Sequence, residues 1–269
     1  MLSALISAAL WLTVASWMGW PVSTTHSIIG AIVGFAMVGI GMDAVNWPKI
    51  STIVISWKVS PMVGGTFSFM IMRSMLRFIL DTDSPFRNAK RYAPLYIFFV
   101  GFLISLVTLF KGLKHLEIEL NIPQSFLIAV LFGSIVAVLG HFLIVRLKIQ
   151  EAENVHEQFT QIESFFGVMM LFTACAMAFA HGSNDVANGI GPMAAVVSIV
   201  QSGGEMTQNS PLHLWILILG GSGIILGLAT LGYRVIQTIG TKITELVPTR
   251  GFSAELAAAA TVALASRTG

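Results

Sequence analysis

The first forty-two residues contain no Asp, Glu, Lys or Arg, and Asp43 is the first charged side chain. A chain that must be wetted cannot run that far without charge. Two apolar pieces, 2–19 and 27–42, flank the polar turn "WPVSTTHS". Across all 269 residues the chain is 55% hydrophobic and 10% charged, with mean hydropathy +0.81. Soluble domains carry roughly 25% charged residues, so the composition implies an all-α polytopic membrane protein. Further apolar runs lie at about 51–73 (interrupted by Lys58 and Pro61), 93–110, 124–145, 163–181 continuing to 200, and 212–233. Each is near the ~20 residues that cross a hydrocarbon core as helix.

The net charge of +2, without a basic tract, excludes nucleic acid as a partner of choice. The single cysteine, Cys175, excludes an internal disulfide. Residues 1–19 lack the basic start of a signal peptide. Arg73, Arg77, Arg87, Lys90 and Arg91 place the loop 73–91 in the cytoplasm by the positive-inside rule. Alternation then puts 111–123 outside, against Lys111 and Lys114, and 146–162 inside as a polar connection. It puts 201–211 outside and 234–251 inside, with 234–247 an interfacial amphipathic helix.

Shifted by 250 positions, "SAELAAAATVALASRTG" (253–269) lies on "SALISAALWLTVASWMG" (3–19), with seven of seventeen positions identical and no gap. Alternation brings the two copies in from opposite faces. Inverted-topology repeats are a common construction of secondary transporters. The division that follows is 1–145, the end of a first repeat with a re-entrant hairpin at 1–42 plus linking spans, then the connection 146–162, then 163–269. That last part is a second repeat cut within its own hairpin, so the chain is expected to be a fragment that is inactive alone.

Two polar constellations interrupt the apolar runs. In "GWPVSTTHSIIGAIVG", Pro21 is expected to stop one helix, and Ser23, Thr24 and Thr25 to cap the next. The tip of such a hairpin offers hydroxyls and unpaired N–H groups, which suit an anion. An ordinary helix–turn–helix outside the membrane is the competing reading. In "AFAHGSNDVANGIGP", Gly182 is expected to break the helix, and Ser183 or Asn184 to cap a new half. Carbonyls near 179–181 would then suit a cation, and the fresh N–H groups an anion. Asp185 and Asn188 share one face of the new half. An ionisable residue at membrane depth is a functional candidate. Neither constellation holds an Arg or Lys. Asp185 would repel an anion unless a cation or a proton neutralised it, which points to cation-coupled anion transport.

These motifs resemble those of the inorganic phosphate transporter (PiT) family of secondary transporters. "GSNDVANGIGP" matches that family's second-half broken helix, and "WPVSTTHSIIGAIVG" its first-half hairpin. The resemblance implies phosphate binding by Ser23, Thr24 and Thr25, completed by Asp185 and Asn188. It implies a sodium site at Asn184, Asp185 and Asn188, with sodium or a proton as coupling ion and no other cofactor. It also implies symport by alternating access in the plasma (inner) membrane. The first-half ND helix and the second-half STTH hairpin are absent from these residues.

His26 and His181 flank the motifs, in coupling or in hydrogen bonds that fix the tip. Glu255, which replaces Leu5 of the first copy, is a further coupling candidate. Lys58 reads as snorkelling to an interface. Gly220, Gly223 and Gly227 suggest close helix packing, within one protomer or in a homo-oligomer. No zinc spacing, nucleophile elbow or P-loop supports an enzyme. Competing readings are a carrier of sulfate or another oxyanion on the same fold, a carrier of metal–phosphate complexes, or an anion channel.

Overall fold

The computed structural model describes residues 1–109, 121–146, 154–203, 213–244 and 246–268. The side chains of Val155, His156, Ser183, Asn184 and 266–268 lie outside that description. So do Lys111, Lys114, Lys148, Glu151, Glu153 and the segment 204–212, on which part of the expected orientation rests. Every regular element described is helical: α1 (Leu2–Trp17), α2 (Thr24–Gly39), α3 (Trp47–Met75), α4 (Pro85–Val107), α5 (Ile122–Arg146), α6 (Val155–Gln201), α7 (Leu214–Gly227), α8 (Tyr233–Gln237) and α9 (Pro248–Thr268). Five stretches are long and apolar enough to cross a membrane: Trp47–Leu80, Pro85–Val107, Ile122–Arg146, Glu157–Gln201 and Leu214–Ile243. At 1.5 Å per residue, α1 and α2 each rise about 24 Å, short of the ~30 Å hydrocarbon core.

Helix α5 shows what surrounds this chain. Its buried positions are Ser125, Ala129, Gly133 and Ile144, whereas Leu127, Leu131, Val138, Leu139 and Leu143 are exposed. Small residues inside and large apolar ones outside suit a helix whose solvent is lipid, because there close backbone approach drives packing. At the contact with α4, a Cβ on Gly133 would lie 2.9 Å from the Phe98 carbonyl oxygen.

The chain forms two compact units. The first contains Met1–Ile53 and Gly182–Leu246, and the second Val54–His181 and Val247–Gly269. The first unit has α1 and α2 as an antiparallel hairpin, and a small core of Ile190, Ala194 and Ile216. The core of the second holds Met75, Ile79, Phe86, Tyr96, Phe166, Phe252 and Leu256. Tyr96, Phe166 and Phe252 meet there with ring centroids 5.5–6.2 Å apart.

Several expected boundaries move. The charged segment 73–91 is not a loop. A π-helical turn carries α3 on to Leu80, and α4 starts at Pro85. Arg73 and Arg77 fall in the closing turns, where cations suit the negative helix end, and Pro85 suits a first turn. Residues 234–243 are not a separate interfacial helix but continue α7 through two π-helical stretches and α8 to Ile243. The larger correction concerns α6. Helical backbone runs from Val155 to Gln201 without interruption at Gly182. One glycine costs a helix about 1 kcal/mol, which many flanking apolar contacts offset. The division expected there lies in the packing instead: the two compact units part between His181 and Gly182.

Candidate functional site

The hairpin tip forms from local chemistry. Helix α1 ends at Trp17, before Pro21, because Gly19 adopts φ +72°. The Gly19 amide donates to the Ser16 carbonyl (3.1 Å) and the Trp20 amide to the Ala15 carbonyl (2.8 Å). That is the Schellman closure, which favours glycine at this position. Pro21 then lies in the connection rather than stopping the helix. Ser23 begins α2, its hydroxyl accepting from the His26 backbone amide at 3.3 Å. The Ser27 hydroxyl donates back to the Ser23 carbonyl at 2.8 Å. Thr24 and Thr25 therefore occupy the first turn, where backbone N–H groups precede the helix's own ladder.

Those threonines meet α6 within the first unit. The Thr24 hydroxyl donates to Asp185 Oδ2 at 3.2 Å. The Asn188 side-chain amide donates to Thr25 Oγ1 at 2.8 Å and to Asp185 Oδ1 at 3.2 Å. Two motifs about 160 positions apart thus close into one network, with both carboxylate oxygens engaged. Thr24, Thr25, Asp185 and Asn188 are half-buried. Because α6 is unbroken, Asp185 and Asn188 sit on a helix interior. Among the described residues, the first helical turn at this site is that of α2.

The other expected residues are placed as follows. Ser23 and His26 are exposed, and it is the backbone of His26 that helps fix the tip. The Asn184 side chain lies outside the described residues. His181 is exposed and belongs to the second unit. Glu255 also belongs to the second unit, where it accepts a 2.6 Å hydrogen bond from the Thr173 hydroxyl. Of the packing glycines, Gly220 abuts Ile190, whereas a Cβ on Gly223 or Gly227 would meet nothing within 4 Å. Both copies of the expected repeat are helical, but they bury different faces: Ala4, Ala8 and Ala15 in α1, and Ala257, Ala259 and Ala263 in α9.

Three partnerships were missed from sequence. Arg234 donates to the Trp17 carbonyl at 2.8 Å, a cation at the negative end of α1. A Cβ on Gly19 would meet Thr238 Oγ1 and the Arg234 carbonyl, so this arginine's turn buttresses the hairpin connection. Glu163 caps α9, accepting from the Thr249 amide at 3.0 Å and its hydroxyl at 2.8 Å. Thr173, from α6, finds Glu255 eighty-two positions away. Nothing in local spacing announces any of the three.

The oxygens gathered here are the Asp185 carboxylate and two threonine hydroxyls, with the Asn188 side-chain N–H groups bridging them. Such a set suits an alkali cation or a proton. The adjoining start of α2 suits an oxyanion.

Known proteins match this chain along nearly its whole length. The profile of the "Phosphate transporter family" matches residues 1–269. A Haemophilus influenzae protein named "Putative phosphate permease" is 46% identical over 269 residues, covering 100% of this chain and 64% of the relative. The Arabidopsis thaliana "Inorganic phosphate transporter 2-1, chloroplastic" is 39% identical over 286 residues, covering 100% of this chain and 49% of the relative. A solved structure titled "The sodium-dependent phosphate transporter" superposes with TM-score 0.83 at 37% identity, over 98% of this chain and 64% of that one. The chain thus spans less than two thirds of the length of each. With the profile matched from end to end and the helices superposed, this integral, multi-pass membrane chain belongs to the phosphate transporter family.

Proposed function

We propose that these residues form part of a carrier that moves inorganic phosphate across a membrane by cation-coupled symport. The observation that carries this reading is the joining of Thr24 and Thr25, at the start of α2, to Asp185 and Asn188 of α6. Phosphate is received by the threonine hydroxyls and the first N–H groups of α2, with Ser23 at the rim. Asp185, Asn188 and Asn184 take the coupling cation. The family supports phosphate, and the sodium dependence in the solved relative's title supports sodium. The function is transport rather than catalysis, by alternating access between inverted repeats, in the plasma membrane.

The coupling follows from charge. At about 5 Å and an effective dielectric of about 20, one like-charge pair costs about 3 kcal/mol. Neutralising Asp185 before phosphate arrives is therefore worth roughly a hundredfold in affinity. Linkage is reciprocal, so phosphate tightens the cation by the same factor.

The test is radiolabelled phosphate uptake by cells expressing the polypeptide that carries these residues, with sodium and proton gradients imposed separately. Uptake driven by sodium and competed by phosphate but not sulfate is the expected result. Uptake driven only by protons would move the coupling to a proton on Asp185. Competition by sulfate alone would overturn the phosphate assignment, and uptake indifferent to both gradients would indicate a channel.

A further inference from the structure

The second unit carries a feature apart from the site described above. An apolar groove of about 690 Å³ runs along α4, lined by Phe78, Tyr92, Phe99, Leu103, Leu106 and Phe126 among others. From Tyr92 to Leu106 it follows α4 for about 21 Å. That exceeds the ~15 Å depth of one leaflet's hydrocarbon, half of a ~30 Å core. Phe99 and Phe126 are 43% and 56% exposed, so the groove is open along its side.

One end is marked by charge. The Phe78 and Tyr92 rings pack 5.5 Å apart, each with a guanidinium over it: Arg77 at 5.9 Å from the Phe78 centroid, and Arg91 at 5.8 Å from that of Tyr92. Both arginines are exposed. They belong to the tip of the α3–α4 hairpin, where residues 73–91 hold five cations against two acids, Asp81 and Asp83. Stacked guanidiniums retain their in-plane N–H donors, which suit a phosphate. A basic pocket between transmembrane helices, opening at an aromatic rim, is a recurring way of holding an anionic lipid headgroup.

We propose that this groove binds one anionic phospholipid, with an acyl chain between α3, α4 and α9 and its headgroup phosphate on Arg77 and Arg91. A second copy of the chain is the poorer occupant. A twofold contact along the membrane normal would bring two positive hairpin tips together at the same depth. The inference does not depend on what the carrier transports.

The test uses the purified polypeptide that carries these residues, in nanodiscs of phosphatidylglycerol or phosphatidylcholine, released into native mass spectrometry. One phosphatidylglycerol retained per chain is expected, with at least tenfold less phosphatidylcholine. The R77Q/R91Q variant, altered only at exposed positions, should lose that preference while keeping its helical circular dichroism. Ala260→Trp, which fills the groove, should release either lipid. Equal retention of the two lipids, an unchanged preference in R77Q/R91Q, or a lipid-free dimer would each overturn the proposal.

Discussion

Two helix starts in this protein are built from similar residues and finished differently. Helix α9 opens with Pro248 and Thr249, and the Glu163 carboxylate fills its N-terminus through two hydrogen bonds. Thr249 is 1% exposed. Helix α2 opens with Ser23, Thr24 and Thr25, and its cap is its own serine. Its threonine hydroxyls turn to Asp185 and Asn188, in a half-buried setting. Both starts attract negative charge for the same reason, the unpaired N–H groups and the dipole. Where the protein supplies the carboxylate to the amides, the start is a fastening. Where the nearby carboxylate takes up the Thr24 hydroxyl and the Asn188 side chain, it joins two motifs that are far apart in sequence. An acid next to a helix start therefore does not by itself reveal a site; which donors it occupies does.

The contrast can be broken by experiment, and the largest effect is expected at Asp185. Asp185→Asn should bring coupled phosphate uptake to background while the purified protein remains monodisperse. Retained uptake would remove this carboxylate from the mechanism. Glu163→Ala should do the opposite. It leaves the buried start of α9 without its acceptor, so thermal unfolding in detergent should show a loss of about 2–3 kcal/mol, with uptake per folded molecule preserved. If uptake falls without a change in stability, the two starts are not different in kind. Gly133→Ala probes the α4–α5 contact away from both starts. A methyl 2.9 Å from the Phe98 carbonyl oxygen should destabilise by about 1–3 kcal/mol and leave substrate affinity alone. The smallest effect is at Thr24. Thr24→Val removes one hydrogen bond of about 1 kcal/mol, so half-saturation for phosphate should rise roughly fivefold, and Thr24→Ser should restore it.

Much of this was legible in the residues. The uncharged opening, the sparse charge and the length of the apolar runs all follow from what a bilayer tolerates, a constraint that acts on composition. The cap at Ser23 was legible because capping is local. The nearness of "STTH" to "NDVAN" was expected only through family resemblance, and the hydrogen bonds among Thr24, Thr25, Asp185 and Asn188 give it a physical form. Reading Gly182 as a break failed because propensity is worth only about 1 kcal/mol, less than the packing along a forty-seven-residue helix. Pro21 was credited with ending α1 when Gly19, two residues earlier, had already closed it.

Residue order alone is enough to commit this chain to the membrane, to helices and to two polar interruptions, since each depends on neighbours within a few turns. Pairings across long separations needed the folded chain: Thr24 with Asp185, Glu163 with Thr249, Thr173 with Glu255, and Arg234 with the end of α1. A carboxylate has no periodicity that names its partner, and it settles on whichever donor the packing of distant helices brings within about 3 Å. That selection made one acid, Glu163, a cap and set another, Asp185 inside α6, against the first turn of α2.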